Sequence, residues 1–464
     1  MKLQIIKIIM MKIDIKYPIE IKKALKKIED NGYKAYLVGG VVRDYFLNRE
    51  ANDYDVITNL SKEGIKKLFK PDDNSKYPYC FSLNTKFDTL VVLLSENIKM
   101  EISSFKNKND DIKSDLLKRD FTINSLAVDC NNNLYNYSSA IEDIKNKVLR
   151  FNSDAEYIIK EDPGRILRYF KFLARLDFKE DEESLKAIYR NKELIKTVSV
   201  EKINICFKEI LIYNPTLIKL MDKVGLIEIL YPDLYRLKEI KQHSKYHYEN
   251  AFDHTMTALS YSKKDTELKD EQKYIINYAL LLHDIGKHDT VSIDEKGYEH
   301  YIGHPLDSYY KSINILKHYK ISKKETELIL LLIKNHDIEL NGTRRCFNRL
   351  VNKYQIDSKE KLYFLYKVKI FDRLAHKEGF NDTKNINETY DKLISYYNEF
   401  ENKIISILDL KISGKEIMRI LNITPSKKIK EIKEELLKQV LCGTLKNENR
   451  ELIAYVTNKY KSKN

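Results

Sequence analysis

The sequence lacks the marks of a secreted or membrane-bound protein. Its five cysteines are odd in number, scattered and without a CxxC pair, which argues against a disulfide framework and against a thiolate zinc site. The apolar stretch from Leu3 to Met11 is interrupted by Lys7 and is far too short to span a bilayer. We therefore expect a cytoplasmic chain that does not contact a membrane.

Glycine and proline are also scarce, at 13 and 8 of 464 residues, whereas 43% of the residues are hydrophobic and 33% are charged. This composition excludes collagen-like repeats, low-complexity scaffolds and wholesale disorder, and it predicts a globular chain. The length predicts about three domain-sized units. Lysine and arginine together number 82 against 69 acidic residues, and the net charge of +13 favours a polyanionic partner such as nucleic acid.

Histidine is missing from the first 242 residues, because all ten histidines lie between His243 and His376. We interpret this change in composition as the mark of a separate functional region in the middle of the chain. Upstream of it, short apolar or alternating segments predict strands over residues 35–42, 53–58, 90–94 and 99–103, with helical patterns around them. From about Asp162 onward, apolar residues recur at intervals of three and four, which predicts an almost entirely helical remainder.

Two glycines and two aspartates form the first candidate site. Gly39 and Gly40 follow an apolar strand and precede a helix, where bare backbone amides can approach a triphosphate, although a plain glycine turn explains them as well. Asp53 and Asp55 lie two apart in a predicted strand, so both carboxylates point to one face and can bind divalent cations. Two Mg²⁺ ions held there would serve in-line nucleotidyl transfer. A solvated turn is the competing explanation for the aspartates.

Two later motifs combine acidic groups with arginines. In Arg119-Asp-Phe-Thr-Ile-Asn124 the charged and amide groups can bind ribose and triphosphate, or they can form a helix cap and a surface salt bridge. Asp162, Arg165 and Arg168 share a helix face and can converge on one base. Cytosine and adenine both present an amino donor beside a ring-nitrogen acceptor, so one carboxylate and one guanidinium can select both and reject uracil and guanine. The alternative is a capped helix start with Asp162 as the N-cap and Pro163 in the first position.

In this order, the motifs resemble those of the bacterial (class II) tRNA nucleotidyltransferases, which build the CCA end of tRNA. The resemblance is carried by GG…RD…DxD, by Lys118-Arg-Asp-Phe-Thr-Ile-Asn-Ser-Leu-Ala127 and by Glu161-Asp-Pro-Gly-Arg-Ile-Leu-Arg168, and it directly covers residues from about 30 to 235. It implies addition of C and A to tRNA from CTP and ATP without a nucleic-acid template, with Mg²⁺ at Asp53 and Asp55.

The resemblance also implies roles for the other residues of these motifs. Glu161 would orient Arg165 beside Asp162. Glu101, on a strand beside the aspartates, is either a third carboxylate of the site or a strand-surface residue. The triphosphate would be bound by Gly39, Gly40 and Arg43, and the sugar and phosphates by Arg119, Asp120 and Asn124.

The histidine-rich region resembles an HD domain, the helical metal-dependent phosphohydrolase fold, in the order and types of His247, His254, His283-Asp284, His304, His336 and Asp372. Neighbouring histidine and aspartate on a buried helix, here the helix Tyr278 to Gly286, are costly unless they bind a metal or another partner. A mixed nitrogen and oxygen site suits a transition metal such as Mn²⁺, Ni²⁺, Co²⁺ or Fe²⁺. The expected ligands are His254, His283, Asp284 and Asp372. His304 and His336 would be additional ligands or phosphate contacts, and we place on the surface His288, His300, His318 and His376.

One departure from the family leaves the product open. Between Glu101 and Arg119 the chain is shorter than the loop usual in CCA-adding members and lacks its arginine-rich stretch, and relatives that add only CC characteristically lack that loop. The alternatives are therefore a CC-adding enzyme or a poly(A) polymerase. In a different class, the chain would be an HD-domain phosphohydrolase that uses its first domain to bind RNA.

We predict an α+β fold in which a polymerase-beta-like nucleotidyltransferase head with a small mixed β-sheet precedes helical modules. The predicted segments are an N-terminal extension (1–18), the head (19–150), a helical neck and body that selects nucleotides and binds tRNA (151–240), the HD domain (241–395) and a helical tail (396–464).

Overall fold

The computed structural model describes residues 11–51, 53–71, 76–82, 89–105, 111–241, 249–402 and 407–461. The chain divides into two compact units, one of residues 1–210 and 220–229 and the other of residues 211–219 and 230–464. Within the described residues, the first unit contains the large sheet, and the second is helical apart from one short hairpin. This is the α+β architecture that the sequence predicts. No described helix combines the length and the apolar character that crossing a bilayer requires.

The first unit is built around a mixed sheet. Its strands are β1 (Met11–Lys12), β2 (Ala35–Val38), β3 (Asp55–Thr58), β4 (Tyr79–Ser82), β5 (Thr89–Leu93), β6 (Lys99–Ser104), β7 (Leu126–Asp129) and β8 (Asn133–Asn136). They lie in the order β1-β8-β7-β2-β3-β6-β5-β4. Strands β3 and β6 are parallel, and the other neighbouring pairs are antiparallel. A separate parallel pair consists of β9 (Val148–Leu149) and β10 (Lys179–Glu180).

Two predicted strands are shorter in the structure. The segment 35–42 ends as a strand at Val38, because Gly39 has a φ of +70° and a helix begins at Gly40. The segment 53–58 becomes a strand only at Asp55, so Asp53 precedes the strand. Both changes occur where the chain leaves or enters the sheet beside the candidate site.

Helices cover the sheet and continue after it. They are α1 (Ile19–Asp30), α2 (Gly40–Phe46), α3 (Lys62–Leu68), α4 (Ile112–Leu117), α5 (Ala140–Asn146), α6 (Ala155–Glu161), α7 (Arg165–Leu176), α8 (Glu182–Arg190), α9 (Val200–Tyr213), α10 (Leu217–Lys223) and α11 (Leu226–Leu230). Short 3-10 helices span Thr122–Asn124 and Lys192–Thr197. In α1 the buried residues Ile21, Ala24, Leu25 and Ile28 recur at three- and four-residue intervals, as an amphipathic helix requires.

The second unit is an assembly of helices. These are α12 (Pro232–Arg236), α13 (Ala251–Lys264), α14 (Asp270–Leu282), α15 (Lys287–Thr290), α16 (His304–His318), α17 (Lys323–Asn335), α18 (Arg344–Asn352), α19 (Lys359–Leu374), α20 (Lys384–Asn402), α21 (Gly414–Leu421), α22 (Lys427–Leu441) and α23 (Asn449–Val456). Strands β11 (Ser292–Ile293) and β12 (Glu299–His300) form the hairpin, and shorter helical turns span Leu237–Glu239, Ile407–Asp409 and Thr457–Lys461.

Helix α14 is the centre of this unit. Every residue from Tyr274 to Leu282 is buried, so the helix is enclosed on all sides rather than on one face. It packs against α13, α17 and α19. The residues that follow its last turn are therefore placed in the interior, where the candidate metal ligands lie.

Candidate functional site

The turn between β2 and α2 brings the backbone close to two functional groups. Gly39 has φ +70° and ψ −122°, a conformation that residues with a side chain rarely adopt. A Cβ atom at this position would lie 3.1 Å from Nη1 of Arg119 and 3.7 Å from Oδ2 of Asp55. Glycine is thus required by the backbone conformation and by the close approach of these side chains.

We expect Gly39→Ala to destabilise the protein by about 1–3 kcal/mol, because alanine is strained in this backbone region. The added methyl group would also displace the Arg119 guanidinium. The KM for the nucleotide that the motifs imply should rise more than the loss of stability alone would explain. Steady-state kinetics measure the KM, and thermal unfolding measures the stability. Gly32→Ala is a suitable control, because Gly32 also has a positive φ but open space around it. Equal kinetic effects of both variants would contradict a role of Gly39 in the site.

Three carboxylates lie at the start of β3. Asp55 is the first residue of the strand and is half-buried, whereas Asp53 precedes it and is exposed. The parallel pairing with β6 places Glu101 opposite Asp55, so this residue joins the group. Burial and the nearby charges of Glu101 and Asp53 raise the pKa of Asp55, although Arg119 opposes this. Carboxylates that disfavour one another's charge fit a site for a divalent cation, and an all-oxygen donor set suits Mg²⁺.

A chain of polar contacts connects the glycine turn with α7. Arg43 donates from Nη1 to Oδ1 of Asn124 at 2.8 Å, and Asn124 donates from Nδ2 to Oδ1 of Asp120 at 3.1 Å. The other oxygen of Asp120 lies 2.7 Å from Nη2 of Arg168. Asp120 is 7% exposed, so in this structure it holds Asn124 and Arg168 in place.

An aromatic ring that the motifs do not indicate supports both arginines. The guanidinium carbons of Arg43 and Arg168 lie 5.4 Å and 5.9 Å from the centre of the Phe172 ring, within cation–π distance. Phe172 follows Arg168 by one helical turn in α7, and this spacing is the only signal in the sequence that could have pointed to it.

The residues expected to recognise the base lie in the break between α6 and α7. Glu161 ends α6 and Arg165 begins α7, whose N-cap is Gly164. Asp162 is therefore not the N-cap of α7, and Pro163 is not its first residue. Arg165 donates from Nη1 to Oε2 of Glu161 at 2.7 Å and to the carbonyl of Ile158 at 3.0 Å, which fixes the direction of its guanidinium.

These groups line one open cavity of about 270 Å³. The break and α7 contribute Asp162, Arg165 and Arg168, and the segment after α4 contributes Arg119 and Asp120. Its other lining residues are Asp115 and Lys118. The motifs do not indicate Asp115; its Oδ2 accepts from Nε of Arg119 at 3.0 Å, at the i, i+4 spacing of a helical ion pair.

A cluster of histidines and aspartates occupies the interior of the second unit. His254 lies in α13 and Asp372 in α19, whereas His283 and Asp284 follow α14, which ends at Leu282 rather than at Gly286 as predicted. Nε2 of His254 and Nε2 of His283 lie 2.9 and 3.3 Å from Oδ1 of Asp372, and Nε2 of His283 lies 3.3 Å from Oδ2 of Asp284. The four predicted ligands thus meet at one place.

A second set of ligand atoms shares Asp284 with the first. Its Oδ1 lies 3.3 Å from Nε2 of His304 and 3.9 Å from Nε2 of His336, and these two nitrogens are 3.1 Å apart. Asp284 is 1% exposed. Oδ2 of Asp284 therefore lies beside His283 in the first set, whereas Oδ1 lies beside His304 and His336 in the second.

Three of the histidines are oriented by the backbone. The Nδ1 atoms of His283, His304 and His336 donate to the carbonyl oxygens three residues earlier, at 2.6, 2.8 and 2.7 Å. Because a carbonyl can only accept, Nδ1 holds a proton, which leaves Nε2 as the ring nitrogen that would bind a metal. The nitrogen and carboxylate donors fit a transition metal better than Mg²⁺.

Two of the remaining histidines, His376 and His288, are less exposed than predicted. His376, predicted on the surface, is half-buried, and its ring centre lies 5.5 Å from that of His254. It forms a further potential metal-binding group with His254 and Asp372. His300 and His318 are exposed, and His288 is half-buried against Arg236. His247 lies outside the described residues.

Comparison with known proteins agrees with this geometry. Residues 35–150 match the family model of the Poly A polymerase head domain. Over 97% of this chain and 99% of the other, the structure is similar to that of the Bacillus stearothermophilus CCA-adding enzyme in complex with CTP, with a TM-score of 0.64 and 20% sequence identity. The chain has the fold of the CCA-adding enzymes.

The curated proteins of similar sequence are CCA-adding and CC-adding enzymes. The CCA-adding enzyme of Ligilactobacillus salivarius is 25% identical over 94% of this chain and 96% of its own length. The CC-adding tRNA nucleotidyltransferase of Halalkalibacterium halodurans is 36% identical, over 39% of this chain and 46% of that relative. The chain spans about half the length of the curated relatives that are more than 30% identical to it.

Proposed function

We propose that this chain is a tRNA nucleotidyltransferase that adds the 3′-terminal CCA to tRNA from CTP and ATP. The observation that carries this proposal is the cavity that Asp162 and Arg165 line together with Arg119 and Asp120. The groups proposed to read the base and those proposed to bind the phosphates thus line the same cavity. The relatives named above are CCA-adding and CC-adding enzymes, which supports this substrate class.

In the proposed reaction the 3′-hydroxyl of the tRNA attacks the α-phosphate of the nucleotide, and pyrophosphate leaves. Asp53, Asp55 and Glu101 would hold divalent cations, which polarise the attacking hydroxyl and neutralise the leaving phosphates. The backbone at Gly39 and Gly40 approaches the triphosphate because no side chain intervenes. Arg43 and Arg119 would bind its oxygens by charge-assisted hydrogen bonds.

Selection of the base would depend on two side chains. The Asp162 carboxylate accepts a hydrogen bond from the amino group of cytosine or adenine, and Arg165 donates to the adjacent ring nitrogen. Uracil and guanine present the opposite pattern at this edge and place acceptor against acceptor. Because Glu161 fixes Arg165 at 2.7 Å, the donor is held ready before the nucleotide binds.

The test is extension of tRNA transcripts that end before the CCA, after C or after CC, with CTP, ATP or both, and with products resolved to one nucleotide. We expect three additions followed by arrest. A halt after CC would identify a CC-adding enzyme, the alternative that the short segment between Glu101 and Arg119 favours; of that segment, residues 106–110 lie outside the described residues. Continued addition of A would indicate a poly(A) polymerase, and no extension would refute nucleotidyl transfer.

We further propose that the histidine cluster is an HD-type phosphohydrolase site. A cavity of about 940 Å³ opens onto Asp284, His304, His336 and Asp372. The cations Lys287, Lys369 and Arg373 also line it. Candidate metal ligands and cations that line one cavity suit a phosphate ester, although acidic residues such as Glu299 and Asp337 line it too.

Hydrolysis of bis-p-nitrophenyl phosphate tests this second activity. We expect turnover that depends on added Mn²⁺, Ni²⁺ or Co²⁺ and that is lost in His283→Ala. The exposed His318 provides the control variant His318→Ala. Turnover that is absent with every metal, or that survives His283→Ala, would refute the phosphohydrolase proposal without affecting nucleotidyl transfer.

A further inference from the structure

Lys202 forms a close ion pair with a proposed base-reading residue. It lies in the first turn of α9, and its Nζ donates to both oxygens of Asp162, at 2.9 Å to Oδ1 and 3.1 Å to Oδ2. A Cβ at Gly164 would overlap the Nζ and Cε atoms of Lys202. The ammonium group therefore reaches the carboxylate across a position that has no side chain.

The contacts of Asp162 leave one acceptor position open. Its Oδ1 accepts from Lys202 and from the backbone N–H of Gly164, the latter at 2.9 Å. Among the hydrogen bonds of the described residues, Oδ2 accepts only from Lys202. A carboxylate oxygen has two lone pairs, so Oδ2 retains one for the amino group of a base while Lys202 stays bound.

Lys202 is the principal cation at this carboxylate. Arg165, the nearest guanidinium in sequence, is paired with Glu161. Partial burial alone would raise the pKa of Asp162, but the hydrogen bond and charge of Lys202, with the Gly164 N–H and Arg165, hold it below its usual value. The other charged groups around the cavity are Asp115, Lys118, Arg119, Asp120 and Arg168.

The charge state of this carboxylate decides which bases it can bind. An ionised carboxylate only accepts hydrogen bonds, whereas a protonated one can also donate. The protonated form would donate to the carbonyl that uracil presents where cytosine has its amino group. Discrimination against UTP therefore requires that Asp162 carry no proton and point in a fixed direction.

We propose that Lys202 is a positioning residue for nucleotide selection, which fixes the Asp162 carboxylate and keeps it an obligate hydrogen-bond acceptor. The inference rests on the proposed nucleotidyltransferase function. It assigns to α9 a part in specificity that is distinct from the base contacts themselves, since Lys202 acts through Asp162.

The test compares Lys202→Met, Lys202→Gln and Lys202→Arg by kcat/KM for CTP and UTP at about pH 8 and about pH 6, on a tRNA that ends before the CCA. In Lys202→Met we expect kcat/KM for CTP to fall about tenfold and the UTP to CTP ratio to rise, more at the lower pH, because protonation of Asp162 becomes easier. Lys202→Arg should restore the ratio. Lys202→Gln, which keeps a donor without the charge, should restore it only at the higher pH.

The exposed Lys196, which pairs with Glu193, gives the control Lys196→Met, and thermal unfolding checks the fold of each variant. An active wild-type protein whose variants keep the wild-type UTP to CTP ratio at both pH values would overturn the inference alone. Equal loss of activity with both nucleotides at both pH values, as a merely structural role predicts, would overturn it as well. A wild-type protein that incorporates no CTP would overturn the proposed function, and this inference with it.

Discussion

We expect Asp55→Asn to lower the rate of CTP incorporation about a thousandfold. The substitution removes a charged metal ligand and, with it, several kcal/mol of transition-state stabilisation. Asparagine keeps the shape of the side chain, so β3 and its pairing with β6 should remain. Single-turnover extension of a tRNA transcript measures the rate of the chemical step. A tRNA-binding assay measures whether the substrate is still held.

Two comparisons make this result specific. Glu63→Gln removes an exposed carboxylate from the following helix and should leave the rate unchanged. Glu101→Gln should reduce the rate strongly if the residue opposite Asp55 joins in holding the cation. Activity of Asp55→Asn within tenfold of wild type, with normal folding, would show that the chemistry occurs elsewhere.

The second large effect is expected at the histidine cluster. Asp284 belongs to both groups of ligand atoms, with His254 and His283 on one side and with His304 and His336 on the other. Asp284→Asn should therefore weaken metal binding strongly, because it removes the carboxylate that the two groups share and leaves only Asp372, beside His254 and His283. Metal content after dialysis, measured by mass spectrometry on protein loaded with Mn²⁺ or Ni²⁺, reports the loss directly.

Nucleotidyl transfer should persist in the same variant, since Asp284 has no part in the proposed head chemistry. His300→Ala, at an exposed histidine of the hairpin, is the control and should retain the bound metal. If Asp284→Asn binds as much metal as wild type, the cluster is a buried polar network rather than a metal site.

The sequence predicts residues that a short spacing or a motif connects. Asp162, Arg165 and Arg168 lie within seven residues of sequence, and the structure places all three around one cavity, although Asp162 precedes the helix that was predicted to carry all of them. Prediction was less accurate at element ends. The strand expected to contain both aspartates begins at Asp55, because alternation of side chains does not indicate where pairing stops.

Residues that are brought together only by tertiary structure were harder to predict. For Glu101 the sequence left two interpretations open, and parallel pairing of β3 and β6 places it opposite Asp55. Lys202 reaches Asp162 across 40 positions of sequence. His376 had no distinguishing neighbour in the sequence, yet α13 brings His254 to within 5.5 Å of it. The residue pattern of one helix or strand does not predict such contacts, because they depend on how separate elements pack.

The close approach of Lys202 to Gly164 makes the effects of mutations at these two positions interdependent. Gly164 has φ −63° and ψ −16°, a conformation open to any residue, so the backbone itself would accept alanine there. A methyl group there would instead displace the flexible end of the Lys202 side chain, which now reaches Asp162. Gly164→Ala should reduce activity in the wild-type background and be nearly neutral once Lys202 is shortened. A double-mutant cycle of the two positions would then show that their effects are not additive. In evolution, a larger residue at position 164 would therefore cost less once the lysine had been replaced.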